Sequence, residues 1–103
     1  MDSEQLAARA MSNDPMQRRV ILANPNGLHM RPSAAFVELA SRFQSNVTVT
    51  REGNTVNGKS LWDLLLLAAE HGTELTLEAD GPDAPEALEA LSKLLSTPPP
   101  KDV

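Results

Sequence analysis

Between Thr73 and Ala79 the apolar side chains Leu75, Leu77 and Ala79 alternate with Glu74, Thr76 and Glu78. Successive side chains of a strand point to opposite faces, so a period of two predicts a strand buried on one face and wet on the other. Val47-Thr48-Val49-Thr50 repeats the pattern as a half-buried strand. Strands of this kind call for a sheet that is covered on one side only, which is the antiparallel habit.

The remaining segments supply the cover. Apolar residues at Ala35, Phe36, Leu39, Ala40 and Phe43 follow helical spacing from Met30 to Phe43. Pro32 is compatible with that helix only in its first turn, where a missing N–H costs nothing. Before it, Gln17 to Asn24 with Val20-Ile21-Leu22 reads as a strand, and Pro25-Asn26-Gly27 is turn chemistry. Arg51 to Thr55 turns the chain back into a short strand, Thr55 to Asn57. A helix from Leu61 to Ala69 follows, with Ser60 and Asp63 in a loose capping box and Gly72 as its left-handed cap. Asp83 stands as the cap of a last helix, with Pro85 and Glu86 in its first turn and Ala87, Leu88, Leu91, Leu94 and Leu95 on its buried stripe. The order βαββαβα predicts an α+β layer fold, an antiparallel sheet with helices on one face. Residues 1–16 read as a flexible N-terminal extension, 17–95 as the domain, and 96–103, with Pro98-Pro99-Pro100, as a flexible C-terminal tail.

Several function classes drop out. The chain has no cysteine and two histidines, which argues against thiol chemistry, disulfides and a metal centre, and it fits a cytoplasmic home. A net charge of -5 argues against nucleic-acid binding. No apolar run approaches the roughly 18 residues of a membrane span, and Met1 to Met16 has no apolar core of a secretory signal. No residue set suggests a cofactor.

What chemistry remains converges on Asn24-Pro25-Asn26-Gly27-Leu28-His29-Met30-Arg31-Pro32-Ser33-Ala34. A helix N-terminus leaves backbone N–H groups unpaired, and with the helix dipole these favour an anion. His29 stands where those donors begin, and Arg31 adds a guanidinium able to take phosphate oxygens in pairs. A neutral imidazole carries a nucleophilic lone pair near physiological pH. Phosphoryl transfer asks mainly for positioning and charge neutralisation, which amides and one arginine supply. The bland alternative is that His29 merely caps the helix and Arg31 is a solvated charge. His71, before the Gly72 cap, reads as inert, and Arg42 and Lys59 as solvated charges.

The segment Gly27 to Ala34 resembles the active-site signature of the HPr family, the histidine-containing phosphocarriers of the phosphoenolpyruvate:sugar phosphotransferase system. Lys59-Ser60-Leu61-Trp62 resembles the same family's regulatory-serine segment, and the likeness runs from about Arg18 to Leu95. The resemblance implies an HPr-like open-faced β-sandwich, four antiparallel strands with three helices on one face. It implies a phosphocarrier, a covalent phosphohistidine intermediate with no turnover of its own, acting as a monomer. His29 accepts the phosphoryl group from phospho-enzyme I and passes it to sugar-specific enzyme II A components. Met30 and Arg31 take the phosphate-stabilising positions. Ser60 matches the serine modified by HPr kinase/phosphorylase, and Leu61, Trp62 and Leu65 belong to the partner-binding surface.

The residues add to this. Ser60 is first a helix cap. Four consecutive leucines, Leu64 to Leu67, point all round a helix, so some of Leu61, Trp62 and Leu65 should be exposed. Met30 stands where family members commonly carry a small residue, and Glu38 and Asp63 where many carry basic ones, so partner charge preference should differ. The competing reading is a regulatory binding module, phosphorylated at Ser60 and docking to a transcription factor or enzyme without sugar uptake. Such a module has no need of His29 and Arg31.

Overall fold

The computed structural model describes residues 16–98. Its elements follow the expected order: β1 Met16–Ile21, α1 Met30–Ala40, β2 Asn46–Arg51, β3 Asn54–Asn57, α2 Leu61–Leu67, β4 Glu74–Asp80 and α3 Ala84–Ser96. The four strands form one antiparallel sheet in the spatial order β1-β4-β2-β3. Three helices cover one face, which makes an open-faced βαββαβα sandwich. The first strand opens at Met16 and the last helix closes at Ser96, one residue to either side of 17–95. The assignments on 1–15 and 99–103 lie outside the described residues.

Registry explains which face is dry. Val20 pairs with Leu75, Val49 with Leu77 and Val47 with Ala79, and all six are buried. Against them pack Phe36 and Ala40 of α1, Leu64 and Leu67 of α2, and Ala84, Ala87, Leu88, Leu91 and Leu95 of α3. Each fully buried Leu or Phe contributes about 1.5–3 kcal/mol over an exposed one. Leu94 of the expected stripe is only half-buried. The other face stays wet, with Thr50 and Thr55 joined through their hydroxyls at 2.7 Å and Gln17 donating to Glu78.

Three sequence expectations need correction. Helix α1 stops at Ala40, not Phe43, and Phe43 half-buries just beyond it. Helix α2 stops at Leu67, not Ala69, because Ala68 takes the left-handed conformation (φ 53°, ψ 36°) that was assigned to Gly72. Arg51 donates to the Leu67 carbonyl at 3.2 Å and so satisfies one of the open carbonyls at that end. Gly72 is left-handed as well (φ 85°), but in a later turn, where its N–H donates to Leu22. His71 consequently lies beyond the helix, exposed, and gains nothing from its dipole.

The third correction concerns Asp83. It occupies the N-cap position of α3 but makes no side-chain cap bond. Its carboxylate reaches across instead and accepts from Ser45 Oγ (2.5 Å), Gln44 N (2.8 Å) and Ser45 N (2.9 Å). These bonds clamp the α1–β2 loop to the start of α3. The Ser45 hydroxyl first, then the Gln44 amide, hold the Asp83 carboxyl below its ordinary value. A carboxyl depressed in the folded state stabilises above its unfolded pKa and loses that contribution as pH falls through the folded one. Stability should therefore be level above about pH 4 and decline below it. In Asp83→Asn part of that acid decline should vanish, read as a shallower loss of denaturation midpoint between neutral and acid pH. An unchanged acid limb would show that Asp83 has no part in it.

Candidate functional site

The site is built where β1 gives way to α1. Past Ile21 the chain remains tied to its neighbours, because Leu22 N donates to Thr73 O and Ala23 N to Leu95 O. Asn24 to Gly27 then form a tight turn, closed by Gly27 N donating to Asn24 O at 3.0 Å. The Asn24 side chain reinforces it, its Oδ1 accepting from Asn26 N at 2.9 Å. Gly27 is left-handed (φ 72°), and a Cβ placed on it would lie 2.4 Å from the Ala69 carbonyl oxygen. Only glycine fits that approach. The same oxygen accepts from Leu28 N at 2.8 Å, and Leu28 is buried. The turn is thus seated on the segment that follows α2.

His29 comes next, extended (φ -88°, ψ -165°) at the N-cap of α1. Its carbonyl accepts the first helical bond from Ser33 N at 3.0 Å. Its side chain is exposed and makes no cap bond, so His29 is an N-cap by position and backbone alone, and its ring is left unengaged. Met30 and Arg31 have backbone N–H groups without partners among the described residues, and Pro32 has none to offer. Below them the buried Ser33 hydroxyl donates to Leu28 O at 3.1 Å and fixes the entry into the helix. His29 and Arg31 line one open depression of about 390 Å³ with Leu22, Asn24, Asn26, Pro32, Ala35, Leu94, Leu95 and Thr97. No carboxylate lines it among the described residues. That suits a dianion beside a guanidinium and free amides.

Ser60 is the N-cap of α2 and its Oγ accepts from Asp63 N at 3.3 Å, as the capping pattern predicted. The box is incomplete, since Asp63 Oδ2 accepts from Asn57 N at 3.3 Å rather than from Ser60. The two sites are not brought together. Lys59, next to Ser60, donates through Nζ to Phe43 O just past the end of α1 (2.8 Å), while Leu28, at the start of α1, bonds Ala69 past the end of α2. The two helices therefore run antiparallel, with His29 and Ser60 at opposite ends of the pair. Lys59 is a tie rather than a solvated charge, and Arg42 pairs with Glu38 at 3.2 Å.

Along the outside of this pair runs an apolar strip. Trp62 is 75% exposed, Leu66 78% and Met30 55%. Of the residues expected there, Trp62 is fully on the surface and Leu61 and Leu65 are half-buried. Leu66 was missed, although i and i+4 share a helix face and Trp62 already pointed to it. Trp62 and Leu66 lead from the Ser60 end of α2 towards its far end, where Ala69 meets the His29 turn. Among the described residues no group of three or more His, Cys, Asp or Glu converges as a metal site would require, and no helix is long and apolar enough to cross a membrane.

An unengaged histidine beside open amides fits a class of proteins, carriers that hold a transferred group on a side chain of their own. Residues 16–97 match the family model for the PTS HPr component phosphorylation site. Over 81 residues the chain is 43% identical to the phosphocarrier protein HPr of Neisseria meningitidis serogroup A, which covers 79% of this chain and 91% of that protein. It superposes on the crystal structure of HPr from Bacillus anthracis with a TM-score of 0.78 at 41% identity, covering 81% of this chain and 99% of the other. The solution structure of Crh, the catabolite repression HPr of Bacillus subtilis, aligns with a TM-score of 0.62 at 43% identity, over 79% of this chain and 96% of that one. The chain belongs to the HPr family, phosphocarriers that move a phosphoryl group by way of a histidine within the phosphotransferase system.

Proposed function

We propose that His29 is the residue that receives the phosphoryl group from phospho-enzyme I and delivers it to enzyme II A components. The observation that carries this is the His29 ring itself, exposed and unengaged at the start of α1 beside the free amides of Met30 and Arg31. A ring nitrogen, Nδ1 by the family resemblance, forms a bond to phosphorus with its lone pair. The bond from phosphorus to enzyme I breaks, and its electrons stay with enzyme I. Delivery to the enzyme II A component is the same displacement in reverse. The ring nitrogen needs no general base, and the depression offers none. The Arg31 guanidinium and the two amides oppose the charge that arrives with the group. Met30 contributes its backbone N–H there, while its side chain belongs to the apolar strip.

Partners dock on that strip, with Leu61, Trp62 and Leu65 joined by Leu66. The work is done by residues 17–95 as a monomer in the cytoplasm, without metal or cofactor. Ser60 is the second modification site, served by HPr kinase/phosphorylase. Likeness to Crh, a catabolite repression HPr, supports a regulatory reading. A dianion at Ser60 changes the charge at one end of the surface whose other end holds His29, so it acts on partner choice and not on the ring.

The test is incubation with phosphoenolpyruvate and the matching enzyme I. One phosphoryl group per chain, labile in acid and stable in alkali, is expected, and no such label sinks the proposal for His29. With ATP and the kinase, an acid-stable label should appear and be absent from Ser60→Ala. A label that persists in Ser60→Ala removes the serine from the scheme. Acid-stable label alone would favour the regulatory module.

A further inference from the structure

Asn24 lines the depression that holds His29 and Arg31. A carboxamide on a protein surface ordinarily leaves open which of its ends faces a ligand. Here one bond decides it. Oδ1 accepts from the Asn26 backbone N–H at 2.9 Å, and only an oxygen accepts there. The Nδ2 group, with two hydrogens to donate, has no acceptor among the described residues and is what Asn24 has left for the depression. Asn26 lines the depression too, but no bond among the described residues fixes the direction of its carboxamide.

We propose that Asn24 is a phosphate-stabilising residue of this carrier, its Nδ2 donating to an oxygen of the phosphoryl group on His29. This rests on the reading of His29 as the acceptor. The turn is the source of the residue's precision. Asn24 O and Oδ1 both receive backbone amides of the segment that leads into His29, so the donor is ordered before any phosphate arrives. An ordered donor loses less freedom on forming its bond than a mobile one. It is also neutral, which distinguishes it from Arg31. A second cation would hold the group more tightly, whereas an amide favours the phosphorylated form and still lets it leave.

Asn24→Asp separates this role from that of a turn former. A carboxylate oxygen still accepts from Asn26 N, so the turn is kept, while the donor is replaced by negative charge. Wild type and Asn24→Asp, isotopically distinguished, are mixed with phosphoenolpyruvate and a trace of enzyme I until the phosphoryl group equilibrates between them. A hydrogen bond to a charged group is worth about tenfold or more in an equilibrium constant. The phosphorylated fraction of Asn24→Asp should be lower by at least about tenfold at an unchanged urea midpoint. Asn24→Ala, losing the donor together with the side-chain bond that reinforces the turn, should lower both the phosphorylated fraction and the urea midpoint. Equal phosphorylation of wild type and Asn24→Asp overturns the proposal and leaves Asn24 a turn former. Should wild type itself take no phosphoryl group, the acceptor reading of His29 fails, and that failure is seen in the control without the variant.

Discussion

His29→Ala is expected to take no phosphoryl label from enzyme I and phosphoenolpyruvate, and to unfold at the same urea concentration as wild type. Both halves follow from one local arrangement. The ring is exposed, makes no cap bond, and packs into no part of the core. What His29 gives the fold is backbone: its carbonyl starts α1 by accepting from Ser33 N, and alanine keeps that carbonyl. Substitutions at such positions usually change stability by no more than about 0.5 kcal/mol. Without the ring there is no lone pair to attack phosphorus, so the loss of label should be complete rather than graded. His71→Ala is the matched control, removing the other exposed histidine, which lies in the turn after α2, and it should label as wild type does. Acid-labile label remaining on His29→Ala would falsify the assignment of the acceptor.

Gly27→Ala should show the largest structural effect of any single methyl added near the site. Two costs coincide. The backbone is left-handed, which alanine adopts reluctantly, and the added Cβ would stand 2.4 Å from a backbone carbonyl oxygen that no rotamer change can move aside. Strain and overpacking together come to roughly 2–5 kcal/mol, a large part of the 5–15 kcal/mol typical of a small domain. To relieve the contact the turn must lift from Ala69, which breaks or lengthens the Leu28 N–H bond to the same oxygen and displaces His29 with it. Phosphorylation should slow by about a hundredfold, as expected of an ångström of misplacement at a reacting group. Gly53→Ala is the control. Its backbone is left-handed too (φ 85°), but nothing lies within 4 Å of the added carbon. It should cost only the conformational part, about 1–2 kcal/mol, and leave phosphorylation alone. Equal losses for the two variants would show that the contact with Ala69 is not what fixes Gly27.

These sites also show how far the chain could be read before its structure. Alternation in β2 and β4 gave the sheet its dry and wet faces, and Pro32 placed the start of α1 within a residue or two, because both signals are local. The Ser60 cap was legible for the same reason. The end of α2 was not. Gly72 is the better left-handed residue on propensity, yet the helix stops at Ala68, where Arg51 reaches its last turn from 16 positions away and Leu28 N–H takes the Ala69 carbonyl. Asp83 looked like a cap because a cap is a local use of aspartate. Its real partners, Gln44 and Ser45, come near only when β4 has crossed the sheet. Among four leucines in a row, packing against Phe36 and the sheet decides which one is left outside, and sequence alone does not set that phase.

The small size of the outer strip bears on traffic. A carrier serves only by leaving each partner before it meets the next, so its residence time on any one of them limits the flux through all. Met30, Trp62 and Leu66 lie on two neighbouring short helices, so a partner seated there would meet three large exposed apolar side chains, fewer than a large specific interface offers. Contacts of that size release quickly, and differences in affinity among related complexes lie mostly in the rate of release. A larger apolar face would capture partners more firmly and deliver to them less often. The fold keeps most of its leucines under the sheet and leaves a few side chains outside, enough to be found and few enough to be let go.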